Sequence, residues 1–247
     1  MNDRVVLIIQ ARMGSTRLPG KSMMDLAGAP LVVRILERVR RVNRIDQIVL
    51  ATSDQKQDDV LEKLAGDYKV NCFRGSENDL VDRYYQCAEY FKANVVLRLP
   101  ADNPCPEPSE YDRLIDYHVK SDNDFSSNIC NFMKNGYPDG IGIEALSFSS
   151  LTKIWNNESY PEKREHVALN YYDYNNDMIP DGSSFKVGTI QCPKEYTRPD
   201  IILDVNTEED YHFMKKLYDN LHPLNPNFSF TEIIKWYDKN KELSNET

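Results

Sequence analysis

Val-Val-Leu-Ile-Ile-Gln-Ala-Arg-Met-Gly-Ser-Thr-Arg-Leu-Pro-Gly-Lys, residues 5–21, is the stretch from which the fold is read. Its first five residues are a continuous apolar run. That pattern belongs to a strand covered on both faces, as in a parallel sheet sandwiched between helices. The next twelve positions change character and gather Arg12, Arg17 and Lys21 with Ser15, Thr16, Gly14 and Gly20. An anion with several charges needs local cations, hydroxyl donors and a backbone that allows close approach. In open α/β sheets such ligands bind beyond the carboxyl ends of strands, which is where this cluster falls.

The pattern continues outward as alternating strands and helices. Pro30 opens a helical stretch with Leu31, Ile35, Leu36 and Val39 on one face, proline being tolerated at a helix start. Residues 45–51, 68–73 and 95–99 read as strands, and 58–66, 79–92 and 110–120 as helices. In 79–92, Leu80, Tyr84, Cys87, Ala88 and Phe91 recur at helical spacing. Repeated β–α–β units imply parallel strands joined by right-handed crossovers. The predicted fold is therefore an α/β, Rossmann-like three-layer sandwich with a mostly parallel sheet. From Phe125 the pattern loosens: 131–140 is loop-like, 141–148, 185–192 and 200–205 are predicted strands, and 149–155, 162–172, 207–221 and 231–239 predicted helices. The polar tail 241–247 is expected to fray. The reading is one domain over 1–247 with an inserted segment at about 125–190.

Composition narrows the function. The chain has 247 residues, 30 Lys+Arg against 39 Asp+Glu, and a net charge of −9. A general nucleic-acid or membrane-surface binder would need a large basic patch on that background, so neither partner is expected. The apolar run at 5–9 is too short for a signal core or a membrane span, and a cytoplasmic location is expected. Cys72, Cys87, Cys105, Cys130 and Cys192 are odd in number and scattered, with no C-x-x-C pair, which predicts ordinary reduced thiols.

The loop is not a Walker loop. Five residues separate Gly14 from Gly20 where that motif has four, and Pro19 has no N–H to offer a phosphate. It also lacks the G-x-G-x-x-G of dinucleotide binders. It resembles instead the A-R-x-x-S-x-R-L-P-G-K signature of the sugar-activating cytidylyltransferases, the CMP-Kdo and CMP-N-acylneuraminate synthetases. Arg12, Ser15, Arg17, Leu18, Pro19, Gly20 and Lys21 match it. The resemblance implies a GT-A-like nucleotidyltransferase fold. It implies nucleotide contacts from Gln10, Ala11, Arg12, Gly14, Ser15, Arg17 and Lys21, with Arg12 and Lys21 catalytic.

Further segments extend the resemblance, most closely to the spore-coat polysaccharide biosynthesis protein F branch. Phe73-Arg-Gly-Ser-Glu-Asn-Asp-Leu-Val-Asp-Arg-Tyr84 is similar to R-G-S-x-x-D-V-L-x-R-Y, and Arg74 then either reads the cytosine or pairs with Glu77 or Asp79. Asp82 and Arg83 read as residues of the wet helix face. Leu97-Arg-Leu-Pro-Ala-Asp-Asn-Pro104 is similar to a G-D-x-P element, with Ala101 in place of its glycine. Asp102 matches its Mg²⁺-binding, catalytic carboxylate; oxygen ligands suit that ion. Arg98 of that segment either pairs within the core or touches the acceptor. Tyr137-Pro-Asp-Gly140, Glu144 and Arg164-Glu-His-Val167 resemble acceptor-pocket or dimer-contact elements, which nominates Asp139, Glu144 and His166 for the acceptor. His166 is open to a base role or a structural one. Gly142 stands where an aspartate is usual. Asp204-Val-Asn-Thr-Glu-Glu-Asp210 resembles (D/T)-V-D-T-x-E-D, with Asn206 at the expected carboxylate. Asp204, two residues earlier, is either the second metal ligand or part of the cap of the next helix.

The resemblance implies a Mg²⁺-dependent cytidylyltransferase, a homodimer, that joins CMP from CTP to a sugar acid and releases pyrophosphate for surface-glycan synthesis. Another nucleotide, a non-sugar acceptor, or a non-catalytic nucleotide-binding homologue stays open.

Overall fold

The computed structural model describes residues 3–130 and 132–240; the polar tail 241–247 and Asn131 lie outside them. The first half is built as the sequence predicts. Strand β1 (Val5–Gln10) is followed by the two-residue strands β2 (Asp25–Leu26) and β3 (Ala29–Pro30), which pair as a separate ribbon, then helix α1 (Leu31–Val39). Next come β4 (Gln47–Ser53), α2 (Asp59–Asp67), β5 (Asn71–Gly75), α3 (Leu80–Tyr90), β6 (Val95–Pro100) and α4 (Pro108–Ser121). Asp79 caps α3, its side chain accepting from the Asp82 N–H, which satisfies one of the unpaired donors of the first turn.

The second half is sparser in regular structure than expected. It holds β7 (Phe125–Ser127), β8 (Glu144–Ser147), α5 (Phe148–Asn157), α6 (Pro161–Glu165), β9 (Val187–Gly188), α7 (Glu208–Leu221) and α8 (Phe230–Lys239). The predicted helix 162–172 breaks at His166 into α6 and a 3₁₀ turn, Val167–Asn170. The predicted strand 185–192 shrinks to β9, and 200–205 joins no sheet. Its burial still alternates, with Ile201, Leu203 and Val205 inside. A period-two pattern therefore recorded one buried face here rather than strand pairing.

The seven-stranded sheet has the order β5-β4-β1-β6-β8-β7-β9. β5, β4, β1 and β6 are mutually parallel, and β8 runs antiparallel to both β6 and β7. Two buried clusters lie on its two faces. Val5, Leu7 and Ile9 of β1 point to one, covered by α1, α2, α4, α7 and α8; Val6 and Ile8 point to the other, covered by α3 and α5. This is the alternation a strand must show, and it explains the unbroken apolar run. The chain leaves β1 to build β4 and β5 on one side and returns to add β6 on the other. The carboxyl ends of β1 and β6 thus flank the switch in strand order, where a ligand cleft opens.

Candidate active site

The loop after β1 is held from below. Asp58 is fully buried; one carboxylate oxygen accepts from the Met13 N–H at 2.7 Å, and the other accepts from the Ser53 hydroxyl and backbone N–H. The Ala11 N–H donates to Ala51 O and the Gly20 N–H to Met13 O, closing the loop on itself. Gly20 takes φ +74°, a conformation glycine adopts without strain. The chain then enters a 3₁₀ turn, Lys21–Met23. Asp58 was not singled out from sequence, because nothing in its local pattern marks a carboxylate that reaches a loop 45 residues earlier.

A cleft of about 180 Å³ lies over this loop, lined by Gln10, Ala11, Arg12, Ser15, Arg17 and Lys21 together with Pro100 and Asp102. Among the described residues no carboxylate pairs with Arg12 or Arg17; the Arg17 Nη2 donates to the neutral Asn206 Oδ1 at 2.8 Å. Two uncompensated cations in one cleft of an acidic protein make a focused anion site. Gly14 does not line it and sits beside Gln57 and Glu77 instead.

A second cleft, about 260 Å³, adjoins the first and shares Arg17, Pro100 and Asp102 with it; Arg98, Asp139, Glu144, Asp204 and Asn206 line the remainder. Lys21 lines the first cleft and reaches the shared Asp102. Its Nζ donates to Asp102 Oδ2 at 3.1 Å and to Val205 O at 2.8 Å. Asn103, with its amide nitrogen facing the carboxylates, donates to Asp102 Oδ1 at 3.1 Å and Asp204 Oδ1 at 2.6 Å. Asp204 and Asp139 face each other across the same cleft. Burial first, then the charges of Asp139 and Asp102, push the Asp204 carboxyl up to about 9, and burial likewise raises Asp139. The pair therefore retains a proton that an isolated carboxylate would have lost. Ala101 has no positive φ, so its backbone position needs no glycine.

These residues fit a hard divalent cation. Asp102, Asp139 and Asp204 bring three carboxylates together, and Lys21 is the one cation paired with them among the described residues. Among the described residues no group of three or more His, Cys, Asp or Glu side chains is arranged to hold a metal ion by itself, so at most two of these carboxylates would serve one ion. Mg²⁺ commonly uses one or two carboxylates and completes its shell with water and substrate phosphate.

Several sequence expectations are corrected. Arg74 lines neither cleft. Its Nη1 pairs with Asp59 and Glu62 of α2 at 2.7 and 2.8 Å, and its other nitrogens donate to Ser53 O and Gln55 O. A base-reading role for it finds no support, and its partners are not Glu77 or Asp79. Arg83 is not on a wet face but 1% exposed, its Nη1 on Ser76 O. His166 is exposed and lines neither cleft. Arg164 ties α6 to α3 through Asp79 at 2.6 Å. Asp204 and Asn206 do not cap α7; Thr207 and Asp210 do, as a capping box. The remaining acceptor candidates come together: the Arg98 guanidinium pairs with Glu144, which also accepts from the Tyr174 hydroxyl at 2.8 Å. All five thiols are free, and burial pushes each up, to about 11 for Cys72 and Cys192 and about 12 for Cys87, Cys105 and Cys130. None is poised as a nucleophile.

Residues 6–235 match the family model described as cytidylyltransferase. The chain belongs to the cytidylyltransferase family. It is 33% identical to the spore coat polysaccharide biosynthesis protein SpsF of Bacillus subtilis, over all of this chain and 98% of that one. A 3-deoxy-manno-octulosonate cytidylyltransferase of Trichlorobacter lovleyi is 29% identical over 46% of this chain and 44% of its own length. The fold superposes on a cytidylyltransferase structure from Leptospira borgpetersenii with TM-score 0.84 and 28% identity, covering 99% and 98% of the two chains. It also superposes on CMP:2-keto-3-deoxy-manno-octonic acid synthetase complexed with CTP, with TM-score 0.62 at 17% identity over 87% and 98%; that likeness speaks for the fold.

Proposed function

We propose that this protein transfers the cytidylyl group of CTP to a hydroxyl of a sugar acid, with release of pyrophosphate, in surface-polysaccharide synthesis. The observation that carries the reading is the pair of adjoining clefts with Arg17 and Asp102 on their common border and Lys21 paired to Asp102 from the first. The cationic cleft suits a triphosphate, and the second suits the acceptor. On this reading the acceptor oxygen attacks the α-phosphorus, an O–P bond forms, the bond to the β-phosphate oxygen breaks, and the hydroxyl proton leaves to solvent. Such transfer depends on positioning and charge neutralisation. Arg12, Ser15 and Arg17 bind and orient the polyphosphate, and Lys21 faces the charge that builds during attack. Mg²⁺, held by Asp102 and Asp204, would neutralise phosphate charge when bound. Arg17 borders both clefts and can meet a phosphate or the acceptor carboxylate.

The same reading carries a homodimer through the segment at about 125–190. Met133, Tyr160, Met178 and Ile179 are exposed apolar side chains within it, and sedimentation velocity tests the assembly. Relatives named for 3-deoxy-manno-octulosonate and for spore-coat polysaccharide support the acceptor class. No helix among the described residues is long and apolar enough to cross a membrane. The test is pyrophosphate release with CTP, UTP, ATP and GTP, each with Mg²⁺, over a panel of sugar acids. Release restricted to CTP plus a sugar acid is the expected result. Tight CTP binding with no release on any acceptor would point to a binding module instead.

A further inference from the structure

Tyr84 of α3 is 1% exposed, and the chemistry described above does not use it. Its hydroxyl donates to Gln10 Oε1 at 3.2 Å. Strand geometry explains the meeting. Val6 and Ile8 point to the sheet face covered by α3, so Gln10, two residues on, points the same way. Val96 of β6 points there too, and with it Arg98, whose register partner is Ile8. Tyr84 therefore meets a glutamine at the end of β1 on the same face as an arginine two residues back in register on β6. Gln10 lines the nucleotide cleft, and Arg98 lines the second cleft, where it pairs with Glu144.

The direction of the hydrogen bond follows from charge. Burial pushes the Tyr84 hydroxyl above the usual phenol range, so it keeps its proton. Arg98 is the foremost charge acting on it, and a cation draws the lone pairs of a hydroxyl toward itself and turns the O–H away. The O–H is left for Gln10, whose carbonyl oxygen is then the acceptor. That settles which way the amide lies. With Oε1 against Tyr84, the two N–H groups on Nε2 point away from it, and among the described residues they have no partner. A freely turning amide would offer its carbonyl to a ligand as readily as its N–H groups, and a carbonyl repels a phosphate oxygen. We infer that Tyr84 is a positioning residue of the nucleotide site: it holds the Gln10 amide with its N–H groups toward the cleft, where they donate to an acceptor atom of the bound nucleotide. The inference rests on the proposed nucleotide chemistry of that cleft and adds the group that orients one of its walls.

Isothermal titration of CTP with Mg²⁺, without acceptor, tests it on the wild type, Tyr84→Phe, Gln10→Met and the double variant, each beside a melting curve. Tyr84→Phe keeps the buried ring and removes only the hydroxyl. It should weaken CTP binding about three- to tenfold, the worth of one neutral hydrogen bond no longer held in place. In the Gln10→Met background the same change should alter Kd by less than about twofold, because no amide is left to orient. In turnover, Tyr84→Phe should raise the KM for CTP while kcat stays within about twofold. A Tyr84→Phe protein that binds CTP within about twofold of wild type overturns the inference, whatever its melting temperature. So does an equal loss with and without Gln10, which is what a merely structural hydroxyl would give. If Gln10→Met does not fold, Gln10→Asn, one carbon short of Tyr84, completes the cycle. Pyrophosphate release over sugar acids is measured separately. If release fails while the cycle holds, the transfer reading falls and Tyr84 stands. If release succeeds with an unchanged Kd in Tyr84→Phe, the reverse holds, and if CTP does not bind, both fall.

Discussion

Lys21→Met keeps the aliphatic stem and removes the charge, and its consequence can be worked from the geometry. The Lys21 side chain is 13% exposed, and its ammonium lies 3.1 Å from the carboxylate of Asp102, whose side chain is 23% exposed, so solvent screens the pair only in part. At an effective dielectric of about 20, a unit charge about 4 Å away is worth about 4 kcal/mol. Loss of one preorganised donor to developing charge costs about 2.7–4 kcal/mol in comparable sites, about 10²–10³ in turnover. The expected fall in kcat for pyrophosphate release at saturating CTP and Mg²⁺ is therefore 10²–10³ on that scale. The structural cost is separate. Asp102 keeps the Asn103 amide but loses its Lys21 partner, a cost of about 1–3 kcal/mol, and Val205 O loses a donor worth about 1 kcal/mol. For a chain of this size that lowers Tm by roughly 4–16 °C, and the assay is run below the melting temperature measured for the variant. Steady-state release measured beside a melting curve separates the two effects. A folded Lys21→Met protein within tenfold of wild-type kcat would refute the placement of Lys21 on the reacting phosphate.

The other expectations are shorter. Arg74→Met should leave the KM for CTP within about twofold, because Arg74 faces α2 and its partners Asp59 and Glu62 are more than half exposed; a tenfold rise would return it to the nucleotide site. Gly142→Ala should destabilise strongly, since an added Cβ would stand 2.1 Å from Asn128 O, and an unchanged melting temperature would count against this packing. The Asp204 carboxyl is shifted up on folding, so its neutral form favours the folded state. That contribution is present at low pH and is lost as pH rises from the usual carboxylate range toward the raised value. Metal-free protein should accordingly lose Tm toward alkaline pH, and Mg²⁺ should restore it while releasing a proton; an Asp204→Asn variant with the same pH slope would argue otherwise. Asp58→Ala should loosen the nucleotide loop, raising the KM for CTP more than it lowers kcat, and an unaltered KM would show that the loop holds its shape without that carboxylate.

The legible part of the fold was the part with one periodicity. β1, β4 and β6 are buried on both faces and announce themselves as apolar runs, and α3 shows its face at helical spacing. The second half hid because its burial signals are ambiguous. Residues 201–205 alternate like a strand but pair with none, since the hydrogen bond from the Val205 N–H goes to Asp102 O, outside any ladder. The same limit governs the site. Contiguous residues such as Arg12, Arg17 and Lys21 could be read together because one loop carries them. Asp58, Asn103 and the Asp139–Asp204 contact depend on distances between separate elements.

That distinction also explains why the partners of Arg74 were not legible. A guanidinium at the end of a strand on the ligand side has the right chemistry for a base, and its sequence neighbours offered only Glu77 and Asp79 as rivals. The structure supplies better partners from the preceding helix, where Asp59 and Glu62 lie one turn apart and converge on a single nitrogen. Asn206 is the converse case. Read as the loss of a carboxylate, it seemed to weaken the metal site. Its side-chain oxygen instead accepts from Arg17, and a neutral amide holds that guanidinium without cancelling its charge. A carboxylate at 206 would have paired with Arg17 and taken one of the two free cations out of the nucleotide cleft. With Asp204 already among the carboxylates around Asp102, the exchange keeps the carboxylates on one side of Lys21 and the uncompensated guanidinium of Arg17 on the other.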